Sequence, residues 1–164
     1  MSDHGASDHA ASDYGASAAA AVPPVFSVLI PSRDRPDLLR QAILSTLRQD
    51  FPFFEIVVAD NSTNGDYAAL RAAIADPRVR WTRAPRPLPV ADNWRLALSE
   101  ARGRYVVMLG DDDALLRRSL SAAHDIAIAH ASPEAIYAPA CQFAYPGAIP
   151  GQPAGGFHMV RNSR

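Results

Sequence analysis

The sequence predicts an α/β protein, a mostly parallel sheet with helices on both faces. Two observations predict it. Short apolar runs alternate with stretches whose apolar residues recur at helical spacing, the pattern of parallel strands joined by helical crossovers. Three of the runs also pass straight into polar clusters, Ser32-Arg33-Asp34, Asp60-Asn61-Ser62 and Asp111-Asp112-Asp113. Parallel strands all end at one edge, so the clusters are expected to gather at the edge where open α/β sheets take their ligands.

Residues 2–21 repeat a five-residue theme of Ser, Asp, Ala and Gly with almost nothing to bury. Residues 1–22 are therefore predicted to be a disordered low-complexity tail. A single α/β domain is predicted over 23–145 and an irregular, Pro- and Gly-rich segment over 146–164. Val25–Ile30 reads as the first strand, with Pro31 stopping it. Pro36 suits the first turn of a helix, with Asp34 or Arg35 near its cap and Asp37 favourable to the helix dipole. Leu39, Ile43 and Leu47, flanked by Ala42 and Thr46, form that helix's apolar stripe.

Phe54–Ala59 is the second strand, followed by a loop dense in turn residues from Asp60 to Gly65. Asp66 is placed to cap a helix reaching Ala75, with Leu70 and Ile74 inward. Asp76-Pro77 breaks that helix, and Val79–Trp81 makes a short third strand. Arg83–Pro89 holds three prolines and reads as an extended loop. Val90–Ala101 is predicted helical, offering Trp94, Leu96, Ala97 and Leu98 for packing. Gly103 turns the chain into Tyr105–Leu109, an unbroken apolar run that reads as a strand buried on both faces. A helix over Leu115–His130, with Leu116, Leu120 and Ala127 on one face, and a last strand over Ala135–Phe143 complete the prediction.

Composition narrows the function. The chain has 164 residues and a formal net charge of −1, which gives no ground for general binding to nucleic acid. Every basic residue is Arg, so any phosphate contact must use Arg, backbone N–H groups or a metal. The lone Cys141 leaves no internal disulfide and no Cys-based zinc site. No stretch reads as a transmembrane segment or a secretory signal. A cytoplasmic protein is expected, with peripheral association with a membrane compatible with the sequence.

The Asp111-Asp112-Asp113 triplet is the sharpest chemical feature. Adjacent anions repel, and folding alone gives little reason to place them at the end of a strand. A hard divalent cation, Mg²⁺ or Mn²⁺, relieves the repulsion through carboxylate oxygens; a solvated acidic turn is the plainer alternative. No Gly-x-Gly-x-x-Gly follows the first strand, no Gly-Lys-Ser/Thr phosphate loop exists, and no nucleophile elbow is present. A carboxylate-bound metal facing polar loops suits a diphosphate, whose charge the cation neutralises.

Three segments in order, Phe26–Asp34, Glu55–Ser62 and Gly103–Asp113, resemble the family 2 glycosyltransferases of the GT-A fold, and the helix start at Pro89–Trp94 is similar too. The resemblance covers roughly residues 25–140 and implies a donor site for a nucleotide-diphosphate sugar, with a UDP-sugar favoured. It implies that Pro31, Ser32, Arg33 and Asp34 line the nucleoside pocket, that Asp60 hydrogen-bonds the base, and that Asp111 approaches the ribose or metal. Asp112 and Asp113 would form the metal-binding acidic motif (DXD-type) for Mg²⁺ or Mn²⁺. Plainer readings stand beside these: Asp34 as a helix cap, Asp60 closing an Asx turn, Arg33 and Arg35 in a solvated loop. The chain departs from the family pattern at Gly110, where an acid is common, and at Ser32-Arg33-Asp34, which lacks an aromatic to stack on the base.

An inverting transferase needs a carboxylate to deprotonate the acceptor hydroxyl. After Asp113 the only carboxylates are Asp125 and Glu134, the first within a predicted helix and the second at the start of a predicted strand. Neither is placed as a base, so a GT-A domain truncated to its donor-binding half is expected. The acceptor, whether glycan, lipid or small molecule, is not encoded in these motifs. Two other functions compete: a catalytically silent nucleotide-sugar-binding module, and a nucleotidyltransferase of related architecture. The absence of Gly from Pro31-Ser-Arg-Asp-Arg35 argues against the latter.

Overall fold

A computed structural model describes residues 22–63, 67–137, 141–144 and 156–159. The predicted tail, apart from Val22, lies outside them, as do Asp66 and the segment 146–164 apart from 156–159. The described residues fall into two compact units: those of Met1–Pro36 with Phe53–Leu109, and those of Asp37–Pro52 with Gly110–Arg164.

The first unit is built on four short runs rich in Val, Ile and Phe, residues that pack well on a pleated surface. Strands β1 (Phe26–Ser32), β2 (Phe54–Asp60), β3 (Val79–Thr82) and β4 (Tyr105–Met108) form one sheet in the order β3-β2-β1-β4. All three pairings are parallel, as the alternating sequence predicts. The central strands β1 and β2 carry the core. Phe26, Val28, Ile30, Phe54, Ile56 and Val58 are buried on one face, and Leu29, Val57 and Ala59 on the other. Helix α3 (Val90–Ser99) covers the second face through Ala97, with Trp94 and Ala101 packed against the same cluster. Burying each such aliphatic side chain contributes about 1.5–3 kcal/mol.

Pro31 does not stop β1. The strand runs on to Ser32, and the register explains why. Leu29 O accepts from Leu109 N, so alternate residues of β1 turn their backbone polar groups toward β4. Pairing with β4 ends at Leu29, so the N–H that Pro31 lacks would face a side with no ladder, where proline is tolerated. Ser32 faces β2 instead, and its carbonyl accepts from Asn61 N at 2.9 Å.

Strand β4 departs from the prediction of a strand buried on both faces. It is an edge strand of this sheet, and Val106 and Met108 are 40% and 65% exposed. A continuous apolar run marks a strand without saying how far its neighbours cover it. Helix α2 (Tyr67–Ala73) sits between β2 and β3 in the chain, with Leu70 and the following Ile74 buried.

At the edge opposite the strand ends, Glu55 is buried in a polar network. It accepts from Ser27 Oγ (2.7 Å), Arg102 N (2.7 Å) and Arg80 Nη1 (3.0 Å). Arg80 also reaches the carboxylate and carbonyl of Glu100, just past α3. Gly103 is required there, because an added Cβ would lie 2.6 Å from Ser27 N and 2.7 Å from Phe26 C, both backbone atoms.

In the second unit, helix α1 (Pro36–Leu47) buries Leu39, Ala42, Ile43 and Thr46 of the predicted stripe, while its last member, Leu47, is only partly buried. Helix α4 (Ser119–Ala129) is shorter than predicted: residues 115–118 are not helical, and Leu116 is 60% exposed. Leu120 and Ala127 do face inward. The last strand also differs. Residues 135–137 form no strand, while β5 (Cys141–Ala144) pairs antiparallel with β6 (Gly156–Met159) in a separate two-stranded sheet. Four-residue strands are too short for their period to show in sequence.

Candidate functional site

The C-terminal ends of β1 and β2 lie side by side, with Ser32 in register with Asp60. Both are buried. Ser32 Oγ shares a 2.6 Å hydrogen bond with Tyr67 Oη, which also accepts from Arg35 N at 3.1 Å. Tyr67 is itself buried, so one phenol ties the loop after β1 to α2. Pro31 is partly exposed and Arg33 exposed, with Arg33 Nε 3.8 Å from Asp34 Oδ2.

Asp34 adopts a left-handed backbone (φ 56°), a conformation that Asp tolerates better than most residues. Its carboxylate accepts from Thr63 N (2.8 Å) and Thr63 Oγ1 (2.9 Å). The side chain therefore reaches across to the loop after β2, beyond what helix capping alone predicts.

Asp60 is 5% exposed, and both its oxygens are engaged. Oδ1 accepts from Ser62 N at 2.9 Å, closing the Asx turn foreseen as the plainer reading. Oδ2 lies 3.3 Å from Arg83 Nη1. Arg83 also donates to Ser62 Oγ (3.3 Å) and, through Nη2, to Ser62 O (2.8 Å). Sequence reasoning missed Arg83, reading it only as the start of a loop. It directly follows β3, so it had the same strand-end signal as the other clusters. Asn61 holds the proline loop, accepting from Leu88 N (2.7 Å) and donating to Leu88 O (2.9 Å). The first unit thus brings Ser32, Asp34 and Asp60 together with Tyr67, Thr63 and Arg83 at one sheet edge.

The triplet follows β4 in the chain and belongs to the second unit. Its first residue, Asp111, is 1% exposed, whereas Asp112 and Asp113 are exposed. A tight turn sets their geometry. Asp113 N donates to Gly110 O at 3.1 Å, and Asp113 Oδ2 accepts from Gly110 N at 3.3 Å. Both exposed carboxylates fold back over the glycine. A Cβ on Gly110 would lie 2.7 Å from Asp113 Oδ2 and 2.9 Å from Asp112 Oδ1. Glycine therefore leaves room for two carboxylate oxygens to lie close together over it, where any side chain would displace them.

This arrangement fits a hard cation held by two carboxylates. Mg²⁺ is commonly bound by one or two carboxylates, with substrate phosphates completing its shell. Among the described residues, no three His, Cys, Asp or Glu side chains are grouped to hold an ion alone. The remaining downstream carboxylates, Asp125 on α4 and Glu134 outside any strand, are both exposed.

A family model described as Glycosyl transferase family 2 matches residues 27–133. The O-antigen biosynthesis protein RfbC of Myxococcus xanthus is 37% identical over 94 residues, covering 54% of this chain and 7% of that protein. The GalNAc(5)-diNAcBac-PP-undecaprenol beta-1,3-glucosyltransferase of Campylobacter jejuni is 32% identical over 106 residues, covering 60% of this chain and 33% of its own length. Among solved structures, S. aureus TarS 1-349 in complex with UDP-GlcNAc superposes with a TM-score of 0.59 at 20% identity, covering 81% of this chain and 44% of TarS 1-349. The mannosyltransferase PcManGT of Pyrobaculum calidifontis, in complex with GDP-Man and Mn²⁺, gives 0.54 at 26% identity over 62% of this chain and 31% of its own. The chain spans a third or less of the length of these two curated relatives. No helix among the described residues is long and apolar enough to cross a membrane.

Proposed function

The chain belongs to glycosyl transferase family 2, and from that premise we propose that it binds a nucleotide-diphosphate sugar as the donor-binding part of a metal-dependent sugar transferase. The observation that carries this reading is the turn after β4, where Asp112 and Asp113 fold over Gly110 and bring one oxygen of each carboxylate close to it. The cation bound there would neutralise charge on the diphosphate as the sugar leaves.

The chain's own residues supply the rest. Asp60 offers carboxylate oxygens at the end of β2, acceptors suited to the N–H of a pyrimidine or purine base. Arg83 and Ser62 hold that carboxylate in one orientation, so little ordering remains for binding to impose. Asp34, held by Thr63, fixes the loop from Pro31 to Asp34 beside it. A UDP-sugar is the favoured donor: TarS, which shares the fold, is solved with UDP and UDP-GlcNAc. The GDP-Man complex of PcManGT keeps GDP as the comparison ligand.

With neither Asp125 nor Glu134, both exposed, assigned as base, transfer to an acceptor hydroxyl by these 164 residues is proposed to be weak or absent. The second reading is a nucleotide-sugar-binding module acting through a partner. Calorimetric titration with UDP, GDP and UDP-sugars, with Mn²⁺ and with EDTA, tests the proposal. UDP-sugar is expected to bind more tightly with Mn²⁺, and Asp112→Ala and Asp113→Ala to lose about tenfold or more of that affinity. Binding by both variants equal to the parent's in Mn²⁺ contradicts the metal assignment.

A further inference from the structure

The chain that leaves the acid turn is stitched to the end of α1 by a set of hydrogen bonds that no turn or helix of its own requires. Ser45 Oγ accepts from Leu115 N at 3.1 Å. Gln49, two residues past the end of α1, donates through Nε2 to Leu116 O (2.8 Å) and to Ser45 O (3.3 Å), and accepts through Oε1 from Leu120 N (3.1 Å). Asp50 N donates to Arg117 O at 3.2 Å. The Phe51 and His124 rings are in contact, with centroids 4.7 Å apart and planes tilted by 39°. Gln49 is 8% exposed, so its amide is committed to these partners and shielded from water.

Gln49 therefore does the work of a cap. Arg118, at the N-cap position of α4, makes no side-chain cap hydrogen bond, and the first N–H groups of a helix have no partner within it. The Gln49 amide supplies one such partner at Leu120. By taking Leu116 O as well, it fixes residues 115–118 outside the helix and sets where α4 begins. Only Ala114 separates the acid turn from the first of these anchors at Leu115.

We propose that Gln49, assisted by Ser45, is a positioning residue for the metal-binding carboxylates: its amide fixes the exit path of the turn and so holds Asp112 and Asp113 over Gly110. Partners that orient metal-binding carboxylates are commonly worth about 10- to 100-fold in metal affinity. The inference rests on the metal assignment under the proposed function.

The test separates the two. Nucleotide affinity is measured for the parent, Gln49→Met and Ser45→Ala, each with UDP in Mn²⁺ and in EDTA, alongside thermal melting. Gln49→Met keeps most of the side-chain volume and removes all three hydrogen bonds. Its Mn²⁺-dependent gain in UDP affinity is expected to fall by about tenfold, with the affinity in EDTA unchanged. Ser45→Ala, which removes the bond from Leu115 N and a bond to Ala42 O within α1, is expected to shift the gain in the same direction by less, and keeps the test decisive should Gln49→Met fail to fold. A lowered melting temperature with an undiminished Mn²⁺-dependent gain in either folded variant overturns the proposal and leaves the metal assignment standing. A parent with no Mn²⁺-dependent gain overturns the metal assignment and this proposal with it.

Discussion

Gly110 shows how a single missing methyl group can shape a site. Its would-be Cβ meets the flexible ends of two carboxylates, not backbone, so a side chain there displaces the acids and spares the fold. Gly110→Ala is expected to melt close to the parent, yet to lose about tenfold of its metal-dependent nucleotide affinity; calorimetry in Mn²⁺ and EDTA measures it. The contrast with Gly103 is instructive. There an added Cβ meets the backbone of Phe26 and Ser27, and the cost falls on folding. The sequence marks Gly103 as a turn residue and Gly110 only as a departure from the family pattern, because the difference between them lies in what each one faces. Arg83 makes the same point: its role depends on β3 lying beside β2, an adjacency absent from the local sequence.

At the scale of elements, Glu55 joins β1, β2, β3 and the turn after α3. Burial alone raises its carboxyl pKa, but the hydrogen bonds from Ser27 and Arg102 N and the Arg80 guanidinium outweigh burial and leave it below the ordinary glutamate value. A lowered folded-state pKa stabilises the fold above the unfolded-state value, about 4.3, and that contribution is lost as pH falls through the folded-state pKa. Glu55→Gln is expected to cost about 1–3 kcal/mol at pH 7. The difference from the parent should shrink as the pH falls past the unfolded-state value and through the lowered folded-state pKa, where the parent's own carboxylate protonates. A series of thermal melts from pH 7 down into acid checks this, and a difference that stays constant throughout would contradict it.

The elements were legible to different degrees for physical reasons. β1 and β2 announce themselves as β-branched runs because both faces are buried. The Leu39, Ile43 stripe of α1 is periodic because only one side of that helix is. The start of α4 was not legible, since its decisive partner, Gln49, lies 71 residues from Leu120. The extension of β1 through Pro31 was hidden for a related reason: whether a missing N–H matters depends on where a neighbouring strand stops. Exposure of Val106 and Met108, which alternate with half-buried neighbours along β4, depends on what covers that face of the edge strand, and such cover is a tertiary property.

For the molecule as a whole, two chemistries are proposed, each within one unit: nucleoside recognition by the strand-end cluster of Asp60, Arg83 and Asp34 in the first, and cation binding by Asp112 and Asp113 in the second. Much of this was readable from the sequence because charge is costly at a strand end and stands out against apolar runs. The candidate acids were all visible there; what fixes them, through Thr63, Arg83, Gly110 and Gln49, emerged only from the fold. The central claim is that the two chemistries are separable, and it is tested most directly by titrating uridine and UDP in parallel, each in Mn²⁺ and in EDTA, against the parent, the Asp112→Ala/Asp113→Ala double variant and Arg83→Met. The account predicts that Mn²⁺ strengthens UDP binding about tenfold or more and leaves uridine unchanged. The double variant should lose only that gain, and Arg83→Met should weaken both ligands alike. Equal Mn²⁺ dependence for uridine and UDP, or a full Mn²⁺ gain in the double variant, would contradict it.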